Sequence, residues 1–314
     1  LLQQEAMMGA QSKSFVFFVL RALLQTELWT LGGALPLDPR TENGRVSRRG
    51  LLTWPLGLGG AIVYGKLVSD TVQKLSRGEL VYPESHEQRV SATIAVSMKA
   101  SIPPQPKLMR PLRVLEVGIG KECRVIRRNL YNEGYKEMAA SGVAHVDWFG
   151  VDISSPSETA KEQSVLRLRE LGHQYHVQTS LNFLEASISQ PLDFPDGYFD
   201  CMISSLTLCS VDDQSMALQE IRRLLRPDGG AFGYIEHTAV LPDEPYRLLE
   251  LQQKLFDPLQ QAVADNCHLH RYTDSAILEV FGAESKLVTS ERFLVGNMWP
   301  VSCQACGVIQ RVQA

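Results

Sequence analysis

From residue 112 onward, short apolar runs alternate with longer stretches whose apolar positions recur at helical spacing. The strand-like runs cover residues 112–117, 147–152, 176–185, 199–205 and 231–236, with helical stretches such as 158–171 and 214–225 between them. A strand, a crossover helix and another strand, repeated, predict a parallel sheet with helices on both faces. After Arg271 the order changes to a helix over 273–281 and two strand-like runs, 286–295 and 301–312. Two adjacent strands closing such a sheet predict an antiparallel hairpin. The expected fold is therefore α/β: a doubly wound, mostly parallel seven-stranded sheet with an antiparallel C-terminal hairpin.

The region before residue 112 follows another pattern. Residues 14–35 are apolar but interrupted by Arg21 and Glu27, residues 38–47 are a polar linker, and Arg48-Arg49 precede an uncharged run over 50–65. Sixteen residues are short for a spanning helix, which needs about 20, and suit a signal-type core or a shallow anchor. The Arg48-Arg49 pair with Gly50-Leu51-Leu52 also resembles a twin-arginine export signal, although no A-x-A cleavage site follows it. A buried apolar hairpin is the plainer alternative. Residues 66–75 and 87–98 read as short helices, and four prolines between 103 and 111 make a stiff connector. The expected organisation is a targeting or membrane-anchor region over 1–79, a helical lead-in and connector over 80–111, and a catalytic domain over 112–314. Membrane association is expected through residues 14–65, at an endoplasmic-reticulum-type or a plastid or thylakoid membrane.

Charge narrows the partners. Thirty-one basic and thirty-five acidic residues leave a net charge of −4, which argues against nucleic acid, whose backbone demands a cationic face. Six cysteines are spread thinly and make no disulfide framework. Cys303 and Cys306 form a lone CxxC without a second pair, so a terminal strand is expected rather than a closed zinc site. Cys267, His268 and His270 cluster in sequence, but on a loop without carboxylate support. No metal is expected.

The candidate chemistry begins at Val114-Leu115-Glu116-Val117-Gly118-Ile119-Gly120, an apolar strand running into a Gly-x-Gly turn. Glycine allows the backbone to approach a ligand closely, and such folds bind ligands at the carboxyl ends of their strands. Asp152 ends the next strand, where a carboxylate can accept both hydroxyls of a ribose. The separation from Glu116 exceeds the usual ~20 residues, which predicts an insertion around 130–144. The plainer role for Asp152 is to cap the following helix.

The ordered set VLEVGIG, VDIS, LDFPDGYFDCMISSLTL and IRRLLRPDGGAFGYIEH resembles class I S-adenosylmethionine (SAM)-dependent methyltransferases of the ubiquinone/menaquinone-biosynthesis type, with their Rossmann-like fold. The later segments LCSVDDQ, GGAFGYIEHTA and LFDPLQQAVADNCHLHR are most similar to the membrane-associated methyltransferase-like thiol methyltransferase family. The resemblance implies SAM as cofactor. It implies that Glu116, Gly118 and Gly120 line its methionine part, that Asp152 and Ile153 hold the ribose, and that Glu185, Ala186 and Ser187 lie beside adenine. Ser205 and Leu206 would approach the methionine end. Glu122 stands where the family carries a third glycine.

His237, after the fifth strand, could act as a base, since histidine titrates near neutrality; a backbone-satisfied strand-end histidine is the plainer reading. Cys209 is expected to pack. The segment 237–271, with Leu248, Leu251, Leu255 and Phe256 at helical spacing, is expected to cap the acceptor pocket. The expected function is SAM-dependent methyl transfer to a small or lipophilic acceptor, such as a thiol, near a membrane. The alternatives are a methyltransferase-fold subunit with an assembly role in a membrane complex, and an NAD-dependent dehydrogenase.

Overall fold

The computed structural model describes residues 62, 65–71, 73–74, 79–103 and 110–312. Apart from Ile62 and Gly65, the segment 14–65 expected to meet a membrane lies outside them. Within the described residues, no helix is long and apolar enough to cross a membrane.

Helix α1 (Glu84–Ser101) leads into strand β1 (Leu112–Val117). Then follow α2 (Arg124–Arg127), α3 (Asn132–Ala140), β2 (His145–Asp152), α4 (Glu158–Tyr175), β3 (Gln178–Glu185) and β4 (Cys201–Ser205). The chain continues through α5 (Gln214–Leu224), β5 (Ala231–His237), α6 (Arg247–Val263), α7 (Thr273–Phe281), β6 (Ser285–Leu294) and β7 (Cys303–Arg311). The sheet runs β3-β2-β1-β4-β5-β7-β6. Its first five strands are parallel, while β7 lies antiparallel between β5 and β6. The expected hairpin is thus present, with its second strand inserted beside β5. This order differs from the 3-2-1-4-5-6 of a dinucleotide-binding sheet, which counts against the dehydrogenase.

Each face of the sheet buries its own core. On one side α1 contributes Val90, Ile94 and Met98 against Val114, Trp148 and Ile235; on the other, Met202, Phe232, Ile221 and Phe281 pack together. The central strand β1 is buried at five of six positions, as a strand covered on both faces must be.

The excess spacing between Glu116 and Asp152 has a structural origin. The β1–β2 crossover is two helices, α2 and α3, joined by a turn. That insertion is core rather than surface. Tyr131 and Tyr135 are fully buried against Trp148, and the Trp148 indole donates to the Tyr135 hydroxyl at 2.9 Å.

Candidate functional site

The carboxyl ends of β1, β2, β4 and β5 converge on one edge of the sheet, and most expected site residues are found there. Gly118 and Gly120 both hold φ near +70°, the left-handed region that glycine enters without strain. They differ in surroundings. A side chain at Gly118 would collide with Thr207, whereas at Gly120 nothing lies within 4 Å of a would-be Cβ. Gly120 therefore presents open backbone where a ligand can lie.

Asp152 faces that turn. Its carboxylate accepts from Gly120 N at 3.0 Å and from Ser154 N at 3.1 Å. It does not cap α4; Ser157 does, with its hydroxyl accepting from Ala160 N. The helix-capping alternative is thereby removed, and Asp152 shapes the glycine turn instead. Ile153, beside it, is 76 % exposed, an apolar side chain left uncovered at the strand end.

Glu185 is exposed, Ala186 and Ser187 are half-buried, and Ala186 N donates to Asp152 O at 2.8 Å. The β3 end is thus tied to the β2 end. Ser205 and Leu206 are half-buried after β4. Leu206 holds φ +56°, which costs a non-glycine about 1–3 kcal/mol. Glu236 offsets this from β5. Its buried carboxylate accepts from Ser204 Oγ at 2.5 Å, Thr207 N at 2.9 Å and Leu208 N at 3.1 Å, fixing the turn that follows β4. Burial pushes the Glu236 carboxyl up to about 7 against those bonds.

Glu116 is buried and accepts from the Tyr131 hydroxyl at 2.6 Å. Burial raises its pKa to about 7, opposed by that bond and by the charge of Arg124. Arg124, at the start of α2, was not singled out from the sequence. Its Nη2 donates to Ser205 Oγ at 2.9 Å, its guanidinium lies 4.2 Å over the Tyr82 ring, and its Nη1 is buried without a partner. A buried guanidinium nitrogen with nothing to donate to is costly, unless an anion completes it.

Glu122 does not intrude on the turn, because its carboxylate pairs with Arg127. The space a third glycine would leave is instead bordered by a neutralised ion pair.

His237 is buried and engaged on both sides. Its Nε2 lies 2.7 Å from His268 O, and its Nδ1 lies 3.9 Å from Cys267 Sγ. Burial opposes its charging, but the neighbouring Cys267 overrides this and raises its pKa above the ordinary value. Cys209 is buried in the core, as expected of a packing cysteine. Its Sγ lies 4.0 Å from Cys267 Sγ, so Cys267 joins Cys209 and His237 rather than its sequence neighbours His268 and His270. Cys303 and Cys306 are buried in β7, as a terminal strand requires.

The segment 237–271 forms α6, but its leucines do not line a pocket. Leu248, Leu251 and Leu255 are each more than 60 % exposed. They face outward because the inward face of α6 carries Gln253 and Gln260, while Leu259, one turn beyond Leu255, is covered by Val68. A groove lined by Gln214, Arg222, Arg223 and Arg311 among others follows α5 and α7. It contains none of the residues above.

This geometry fits SAM. Gly120 leaves open backbone, Asp152 offers a carboxylate for ribose hydroxyls, and Arg124 Nη1 is an unpaired donor suited to the methionyl carboxylate. Residues 134–232 match the methyltransferase-domain family, starting just past the glycine turn. Human thiol S-methyltransferase TMT1B is 40% identical over 79 residues, 25% of this chain and 30% of that protein. Human thiol S-methyltransferase TMT1A is 31% identical over 120 residues, 38% of this chain and 47% of that protein. The ubiquinone/menaquinone biosynthesis C-methyltransferase UbiE of Pasteurella multocida is 29% identical over 112 residues, 35% of this chain and 40% of that protein. The matched region spans less than half the length of each of these relatives. The family match over residues 134–232 and the β3-β2-β1-β4-β5-β7-β6 sheet together give this chain the Rossmann-like fold of SAM-dependent methyltransferases.

Proposed function

We propose that this protein transfers the methyl group of SAM to a small, lipophilic thiol close to a membrane surface. The observation that carries the cofactor half is Arg124. It is a half-buried cation bonded through Nη2 to Ser205, with its Nη1 buried and unpaired, on the edge where such sheets bind ligands. SAM supplies an activated sulfonium methyl, so the chain's task is to align donor and nucleophile in line. Arg124 would hold the methionyl carboxylate and Asp152 the ribose, with Ile153 beside the adenosine.

A soft, easily ionised acceptor suits this site better than a phenol or amine. A phenol or amine needs a base, and the histidine nearest the strand ends, His237, has both ring nitrogens engaged. An alkyl thiol ionises near ~8.5 and needs less help. The similarity to proteins named thiol S-methyltransferases supports the same class. The membrane half draws on the uncharged run over 50–65 and on the exposed leucines of α6.

The test is a panel of alkyl thiols, phenols and amines incubated with the full chain and methyl-labelled SAM. Labelled thioether is the expected product. Exclusive labelling of oxygen or nitrogen would overturn the thiol acceptor and leave the methyltransferase reading standing. No SAM binding by calorimetry at millimolar cofactor would overturn both and return the fold to an assembly role.

A further inference from the structure

Three side chains from distant parts of the chain meet beside the strand ends. Cys209 lies on the turn after β4, His237 ends β5, and Cys267 follows α6. Their ligand-capable atoms all lie within 4.8 Å of one another. Cys267 Sγ stands 4.0 Å from Cys209 Sγ and 3.9 Å from His237 Nδ1. Around a tetrahedral zinc with ordinary bond lengths, two sulfurs sit about 3.8 Å apart and a sulfur and nitrogen about 3.6 Å. These two separations are wider by only a few tenths of an ångström, and Cys209 and His237 lie within 4.8 Å of each other.

The surroundings are those of a held ligand set. His237 Nε2 is 2.7 Å from the His268 carbonyl. A proton on that nitrogen leaves Nδ1 as the ligating atom, the way a backbone carbonyl sets the tautomer of a metal-bound imidazole; Cys267 Sγ lies 3.9 Å from Nδ1 and 4.0 Å from Nε2, so the ring turns slightly to aim its lone pair at the metal. Arg271 Nη1 donates to the carbonyls of Leu208, Cys209 and Val211, and His268 N donates to Cys209 O at 3.0 Å. The two cysteine-bearing segments are thus pinned to each other without using the sulfurs. Two thiolates and a neutral imidazole form a soft donor set that balances a divalent charge and selects zinc over hard cations.

We propose that Cys209, His237 and Cys267 bind one Zn²⁺, with the fourth position taken by the sulfur of the acceptor thiol. Three protein ligands and one exchangeable position are the arrangement of zinc sites that take part in chemistry. The cluster shares a turn with the cofactor site. Ser205 ends β4 and Thr207 and Cys209 follow it, Ser205 accepts from Arg124, and Thr207 lies against Gly118. The role of the fourth position rests on the thiol reading above; the metal site does not. On binding, the acceptor R–SH releases its proton to solvent and its sulfur joins the zinc. A lone pair of that sulfur forms the new S–CH₃ bond while the methyl–sulfonium bond breaks, its electron pair returning to the departing sulfur. The products are R–S–CH₃ and S-adenosylhomocysteine, and the thioether, a weaker ligand than a thiolate, leaves.

The experiment is metal analysis of the full-length protein, purified with zinc present and then dialysed against metal-free buffer. One zinc per chain is expected, retained in C306S and lost in C209S and in C267S. Replacement by Co²⁺ in the unaltered protein should give thiolate-to-cobalt charge-transfer bands and intense tetrahedral d–d bands. This readout needs neither activity nor a variant that folds. Adding 2-mercaptoethanol should then shift those bands. A protein that retains no zinc and gives no cobalt–thiolate band overturns the site, as does a Cys209–Cys267 disulfide in the freshly purified native chain. A cobalt spectrum that 2-mercaptoethanol leaves unchanged overturns the thiol-holding role while the metal site stands. Failure of the methyl-transfer panel with zinc retained would count against the thiol reading alone.

Discussion

Arg124 Nη2 donates to Ser205 Oγ at 2.9 Å, tying the loop after β1 to the end of β4 across the mouth of the sheet. The same guanidinium keeps its Nη1 buried and unpaired. Exchange of Arg124 for Met should therefore weaken SAM binding by one charge-assisted interaction, about 1.5–3 kcal/mol. Isothermal calorimetry with SAM and with S-adenosylhomocysteine checks this, since both carry the carboxylate and should lose affinity alike. Equal affinity in the variant would remove Arg124 from the cofactor site.

Asp152 and Glu122 should behave in opposite ways. Asp152→Ala removes the carboxylate proposed to hold the ribose and the acceptor of Gly120 N, so a loss of roughly 1.5–3 kcal/mol in SAM affinity is expected. Glu122→Gly should leave affinity nearly unchanged, because the Glu122 carboxylate is already paired with Arg127. Tighter binding by the glycine variant would mean that this ion pair crowds the cofactor after all.

The strands were legible in the sequence because the parallel sheet buries them as apolar runs. β1 and α7 match their expected limits, and β2 to β5 differ by no more than two residues at either end. Less legible was α3, whose polar surface disguises the buried Tyr135, and whose lead-in residue Tyr131 reaches back to Glu116. The glycine turn and Asp152 could be read because local backbone geometry demands those residues. Arg124 could not: it resembles any surface cation until Tyr82, forty-two positions earlier, covers it. Cys209 and Cys267 are 58 positions apart, so only the folded chain brings their sulfurs together.

Glu116 makes stability depend on pH. Its carboxyl is raised from the ordinary 4.5 to about 7, chiefly by burial. A raised carboxyl binds its proton more tightly folded than unfolded. Its contribution therefore favours folding while protonated, declines from about pH 4.5 upward, and becomes a full penalty of roughly 3 kcal/mol above pH 7. Glu116→Gln keeps an acceptor for the Tyr131 hydroxyl and cannot ionise. Denaturant unfolding without cofactor should find the variant close to the parent near pH 4.5 and more stable at pH 8. Glu236 is shifted the same way, but it is common to both proteins and cancels in the comparison. A variant no more stable than the parent at pH 8 would mean that Glu116 ionises there without penalty.

Helix α6 offers the most direct test of membrane contact. Leu248, Leu251 and Leu255 are 69 %, 62 % and 65 % exposed, and their spacing of three and four residues sets them on one face. One turn further along the same face, Leu259 is buried against Val68. A helix face of this kind inserts shallowly at a lipid surface, with affinity growing with the apolar area it buries. Exchanging the three leucines for serine in the full chain should lower its partition onto phosphatidylcholine vesicles by roughly tenfold or more. Thermal stability should stay within about 0.5 kcal/mol per site, since these side chains make little core. Removing residues 1–79 should lower the partition further. If the triple exchange leaves partition unchanged while the truncation abolishes it, the N-terminal segment alone meets the membrane, and the α6 leucines have no part in it.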